Sequence, residues 1–93
     1  MLYIIAYDVE DDAVRGRVAS VVEQFGRRVQ KSVFECRLTP EMFVELTGRL
    51  ARVLTPPEVG NVRLYRVCAD CWRSALAIGR IEPDEREDAV VVV

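Results

Sequence analysis

The 93-residue chain contains no histidine, so no Ser-His-Asp set can form. A zinc centre is also hard to assemble. Zinc takes four ligands, and the Cys68-Ala-Asp-Cys71 spacing has only Cys36 to add to it. Four sulfurs would need two chains, and buried free thiols are the expected state. Three cysteines are an odd number, which points to reduced thiols. Glycine is sparse and forms no Gly-rich phosphate loop. No stretch approaches the ~20 apolar residues of a membrane span, and no basic segment precedes the first apolar run, so neither a signal peptide nor a membrane is expected. The expected location is the cytoplasm. No internal repeat is visible.

Lysine is nearly missing as well: Lys31 is the single one among 13 basic residues. The rest are arginine, the better bidentate phosphate binder. The net charge is −2 and the pI is about 5.1, which taken as a sum argues against a general nucleic-acid binder. The distribution is more informative. Four acids and no base lie between Asp8 and Asp12. Six bases (Arg15, Arg17, Arg27, Arg28, Lys31, Arg37) face two acids, Glu23 and Glu35, in the next segment. Five acids and one base follow in residues 82–88. The middle block reads either as a phosphate groove, with Arg15, Arg17, Arg27, Arg28 and Lys31 as its contacts, or as a solvated face.

Half of the residues are hydrophobic, enough for one core at this length. Leu2 to Tyr7 is an apolar and aromatic run ending at Asp8, which reads as a central strand buried on both faces. Asp11 and Asp12 are N-cap residues for a helix whose apolar positions are Val14, Val18, Val21, Val22 and Phe25. Gly26 fits the left-handed stop after it. Residues 27–38 are extended, as one bent strand or as two short strands turning near Lys31-Ser32. Thr39-Pro40-Glu41 starts a second helix with Phe43, Leu46, Leu50, Val53 and Leu54 on its buried face. Pro56-Pro57 ends it, and residues 62–68 form a further strand. A short strand is expected around Ala77-Ile78.

The fold class is therefore α+β, with two helices on one face of a small sheet. If the extended segment is two strands, the order is ferredoxin-like, β-α-β-β-α-β. Residues 1–81 form that domain, and residues 82–93 are an acidic linker and a β-prone tail. Exposed apolar strands aggregate, so the 89–93 segment is expected to pair with a sheet edge on a second protomer.

Asp8 is the chemical candidate. At the end of a strand it offers a hard oxygen ligand, and Mg²⁺ often takes only one or two carboxylates plus waters and substrate phosphate. The alternative is an Asp that caps the next helix or is solvated.

Together the residues are distinctive. Tyr7-Asp8-Val9 precedes an Arg-bearing helix, and Gly-Arg-Arg-Val-Gln-Lys-Ser-Val-Phe-Glu-Cys from Gly26 to Cys36 leads into Leu38-Thr39. Val62-Arg63-Leu64-Tyr65 comes near the end. Over residues 1–79 the chain resembles the small CRISPR-associated family known as CRISPR-associated protein two. The resemblance implies a ferredoxin-like homodimer that acts in spacer acquisition by bridging dimers of the CRISPR integrase. It also implies a metal-dependent endonuclease acting on single-stranded RNA or double-stranded DNA. Asp8 would be the catalytic metal ligand, for Mg²⁺ or another divalent ion such as Mn²⁺, facing its two-fold mate. Tyr7, Arg15, Arg17, Arg28 and Phe34 match positions linked to nucleic-acid handling. Asn61 stands where many members carry Asp, and the Pro56-Pro57 loop is this chain's own. A non-catalytic dimeric DNA-bridging scaffold is the second expectation, since no general base is evident.

Overall fold

The computed structural model describes residues 1–81 and the strand 90–92. The order is β1 (Leu2–Asp8), α1 (Asp12–Glu23), β2 (Gly26–Gln30), β3 (Val33–Arg37), α2 (Pro40–Val53), a 3₁₀ turn, β4 (Asn61–Val67), α3 (Ala69–Arg73), β5 (Leu76–Ile78) and β6 (Val90–Val92). The first six α and β elements follow the ferredoxin-like β-α-β-β-α-β order. Their four strands form an antiparallel sheet in the order β2-β3-β1-β4. β1 is central, hydrogen-bonded to β3 and β4 along both edges.

Local chemistry sets the helix starts. The Val14 N–H donates to the Asp11 carboxylate at 2.9 Å, and the Met42 N–H donates to the Thr39 hydroxyl at 3.1 Å, with Pro40 at the first turn of α2. Each cap contributes about 1 kcal/mol. Val18, Val21 and Val22 of α1 and Leu46 and Leu50 of α2 then point into one core. The extended segment is two strands, as the ferredoxin-like order requires. It turns at Lys31-Ser32, and the pairing slips between Arg28 and Gln30.

Four expectations are corrected. Gly26 is not a left-handed helix stop: it opens β2, paired with Cys36. A Cβ there would lie 2.4 Å from both Cys36 Sγ and the Glu35 carbonyl oxygen, so close strand approach is what demands glycine. Nor is β1 buried on both faces. Tyr3, Ile5 and Tyr7 alternate toward the helices, where Tyr3 stacks on Phe43 at 4.9 Å. Ile4, Ala6 and Asp8 point to the face without helices, half-buried or exposed. Cys68 and Cys71 are free but exposed, because Cys68 caps and Cys71 lies on the short helix α3, which strand-like neighbours concealed. Finally, β6 has a partner in its own chain. It runs parallel to β5, with Leu76 opposite Val90. The acidic segment 82–88 lies outside the described residues. Among the described residues no helix is long and apolar enough to cross a membrane.

Candidate nucleic-acid cleft at the end of the central strand

Strand alternation delivers Tyr7 and Asp8 to opposite faces at the place where β1 leaves the sheet. Tyr7 is buried against Phe34, with ring centroids 6.2 Å apart. Its backbone N–H donates to the Ser32 carbonyl at 3.1 Å, which ties the end of β1 to the β2–β3 turn. On the other side β4 holds the same end through the Asp8–Asn61 register pair. Gly60 stands directly before that pair with φ of +150°, and a Cβ on it would come within 2.6 Å of the Asp8 carbonyl oxygen. Glycine is therefore required for the close approach that fixes the Asp8 backbone. The Asp8 side chain is exposed. Its carboxylate has no hydrogen-bond or ion-pair partner among the described residues.

Beside it opens a cleft of about 530 Å³ between the β1–α1 loop, the first turns of α1 and the β2–β3 turn. Asp8, Asp12, Arg15, Arg28, Lys31 and Ser32 line it, with Tyr7 at its wall. Gly16 faces open space here, with nothing within 4 Å of where its Cβ would be. Arg15 is engaged by its own loop. It donates to the Val9 and Glu10 carbonyls, each at 3.0 Å, and pairs with Asp12. It stiffens the turn after Asp8 while adding positive charge. Arg28 lies over the Phe34 ring, 5.2 Å from its centroid, and pairs with Glu23 at 3.3 Å. That pair is solvent-exposed on both sides and holds weakly, so Arg28 can exchange Glu23 for a stronger anion. Lys31 has no side-chain partner among the described residues.

The sequence-derived set thus divides. Tyr7, Asp8, Arg15, Arg28 and Lys31 converge on one cleft. Phe34 is fully buried beneath it and contributes by carrying Arg28. Arg17 lies elsewhere, in a groove between α1 and α2 with Arg49 and Arg52. Arg27 projects to the sheet face opposite Arg28, paired with Glu35 at 3.3 Å. Both separations follow from period: neighbours on a strand alternate, and positions two apart on a helix do not share a face. In the sequence Asp12 reads only as a helix cap and Ser32 and Gly60 only as turn residues, none of them as part of a site. Gly60 has a visible signal, since it directly precedes a strand after a proline-rich turn.

Can this site hold a hard cation? Among the described residues no three His, Cys, Asp or Glu side chains gather into a cage. Asp8 is one unengaged oxygen donor, which is what a mostly hydrated Mg²⁺ takes from a protein. The residues fit such an ion as half a site, complete if a second carboxylate arrives from elsewhere.

A ferredoxin-like α+β domain with a lone strand-end carboxylate beside an arginine-lined cleft defines the class of protein. The family profile described as CRISPR associated protein Cas2 matches residues 1–75, and the chain belongs to that family. It is 34% identical over 93 residues to a CRISPR-associated endoribonuclease Cas2 of Chloroflexus aurantiacus, covering all of both chains. A Thermus thermophilus relative, 36% identical over 97% of this chain and 96% of its own length, is named a CRISPR-associated endonuclease Cas2. The structure resembles that of Streptococcus pyogenes Cas2, with a TM-score of 0.63 and 34% identity over 73% of this chain and 87% of that one. It also matches a chain of a partial Cas6-RT-Cas1–Cas2 complex, with a TM-score of 0.68 and 30% identity over 76% of this chain and 77% of that one.

Proposed function

We propose that the chain is a metal-dependent endonuclease of CRISPR adaptation, cutting phosphodiester bonds in RNA or double-stranded DNA as a cytoplasmic homodimer. The observation that carries this reading is the unengaged carboxylate of Asp8, a residue that lines one cleft with Arg15, Arg28 and Lys31. Relatives named endoribonuclease and endonuclease support it. Asp8 and its mate on a second copy, meeting across the open sheet face, would hold Mg²⁺ or Mn²⁺. Such an ion, when bound, polarises a phosphoryl oxygen and acidifies water. Arg28 and Lys31 hold the flanking phosphates, Arg28 as a planar fork braced on Phe34 and Lys31 as a mobile point charge. Arg15 keeps the Val9-Glu10 turn in place, so Asp8 stays aimed. Gly60 does the same from the β4 side.

A second reading is a dimeric scaffold that bridges DNA beside the CRISPR integrase without cutting. It draws support from the likeness to a chain of a complex containing Cas1. Asp8→Ala separates the two. The nuclease reading expects cleavage of RNA and duplex DNA with Mg²⁺ or Mn²⁺ to fall to background, with dimerisation and melting unchanged. The scaffold reading expects the variant to support spacer acquisition as well as wild type. Purified wild-type protein that cuts neither substrate across pH, salt and both metals would end the nuclease reading.

A further inference from the structure

Cys36 and the pair Cys68 and Cys71 live in different surroundings. Cys36 is sealed in the core, whereas Cys68 and Cys71 are free thiols at the surface. One turn of backbone carries that pair. The Cys71 N–H donates to Cys68 Sγ at 3.2 Å, and the Trp72 N–H donates to the Cys68 carbonyl at 2.9 Å. The Cys68 sulfur thus lies against the Cys71 backbone, and at a spacing of three the two residues are neighbours on one helical face, the placement an intrachain disulfide needs. Trp72 follows directly and lines a groove with Leu2, Arg27 and Arg37. Its indole N–H is buried without an acceptor among the described residues.

We propose that Cys68 and Cys71 form a redox-modification site, a dithiol that low-molecular-weight disulfides close to an intrachain disulfide and thiol reductants reopen. Nothing in this depends on the nuclease reading. Cys68 is the attacking group. Its thiol is held below the ordinary value, first by the Cys71 side-chain hydrogen bond and then by the Cys71 backbone, with Arg73 adding a smaller pull. Cys71 is raised, mainly by the same hydrogen bond to Cys68. The Cys68 thiolate displaces one thiolate from a disulfide RSSR, giving a mixed disulfide and RS⁻. Cys71, losing its proton to solvent, then attacks the Cys68 sulfur and expels the second RS⁻. Two protein thiols are oxidised, one RSSR is reduced, and two RSH leave. Burial keeps Cys36 out of the exchange.

The test uses the full chain, incubated with excess glutathione disulfide, acid-quenched and read by intact mass and peptide mapping. The expected product has lost two hydrogens, links Cys68 to Cys71, leaves Cys36 unmodified and reverts with dithiothreitol. Trp72 is the chain's one tryptophan, so its emission should fall on closure and recover on reduction. Cys71→Ser should accumulate a glutathione adduct on Cys68, and Cys68→Ser should react several-fold more slowly at Cys71. Persistent thiols at both positions, stable adducts on both in the wild type, or links only between chains would each overturn the proposal.

Discussion

Adjacent residues of β1 lead different lives. Tyr3, Ile5 and Tyr7 look into two helices, where Ile5 is wholly buried and Tyr7 nearly so. Ile4, Ala6 and Asp8 look the other way, onto a face where Tyr65 is half exposed. One strand therefore supplies both the core and the chemical candidate, separated only by the alternation of the pleat. A one-residue slip of register would bury Asp8 and expose Ile5. Both edges of β1 are paired, which resists that slip. The helix face should answer to substitution in stability, and the open face in binding and assembly.

The strongest way to break this contrast is Phe34→Ala. Phe34 is fully buried at the centre of the helix face, opposite Ile5 in the sheet. Removing a buried aromatic ring costs about 3–5 kcal/mol, a large part of the stability of a domain this size. It also takes away the support under Arg28. Urea denaturation should show the unfolding free energy falling by that amount. A loss below about 1 kcal/mol would mean that the helix face does not carry the fold.

Cys36 gives a smaller effect with a direction set by pH. Burial, and next the Glu35 carboxylate, raise its thiol from 9.0 to about 11. In the unfolded chain the thiol ionises near its ordinary value, while the folded state keeps the proton. Stability from this group is therefore complete below pH 9 and is lost as pH rises from 9 to 11. Each such unit corresponds to about 1.4 kcal/mol, so the loss is on the order of 2–3 kcal/mol. The quantity to measure is the difference between wild type and Cys36→Ala, because every other group is common to the two proteins. Parallel stability–pH curves for the two proteins would show that Cys36 is not sealed from solvent.

How much of this was legible in the sequence depends on the range of the forces involved. The capped helices, the central strand and the ferredoxin-like order rest on local signals: Asp11, Thr39-Pro40, the valine stripe of α1 and the apolar run before Asp8. Convergence of Tyr7, Asp8, Arg15, Arg28 and Lys31 on one cleft followed from strand and helix ends meeting at one edge of the sheet. What failed was whatever depended on a partner distant in sequence. Gly26 looked like a helix stop because Cys36, which crowds it, lies ten positions away and enters only through strand pairing. Helix α3 is a single short turn, too brief for an apolar period to register, so two surface thiols were taken for core. Arg27 and Arg17 were grouped with the cleft by charge, although alternation on a strand and the helical period already separate them.

The smallest change in chain stability is expected at Tyr65, the large side chain left half exposed on the open face opposite Ile4. Little of its ring is packed, so Tyr65→Ser should shift the stability of an isolated chain by about 0.5 kcal/mol or less. Its value lies in what it says about the uncovered face. If a second copy covers that face, bringing two Asp8 carboxylates together, association stabilises the native state and the wild-type melting temperature rises with protein concentration. Tyr65→Ser should flatten that dependence and lower the dimer fraction in sedimentation, while matching wild type at high dilution. Equal concentration dependence in the two proteins would move the dimer interface off this face. Asp8 would then stand alone, as half a cation site with no mate.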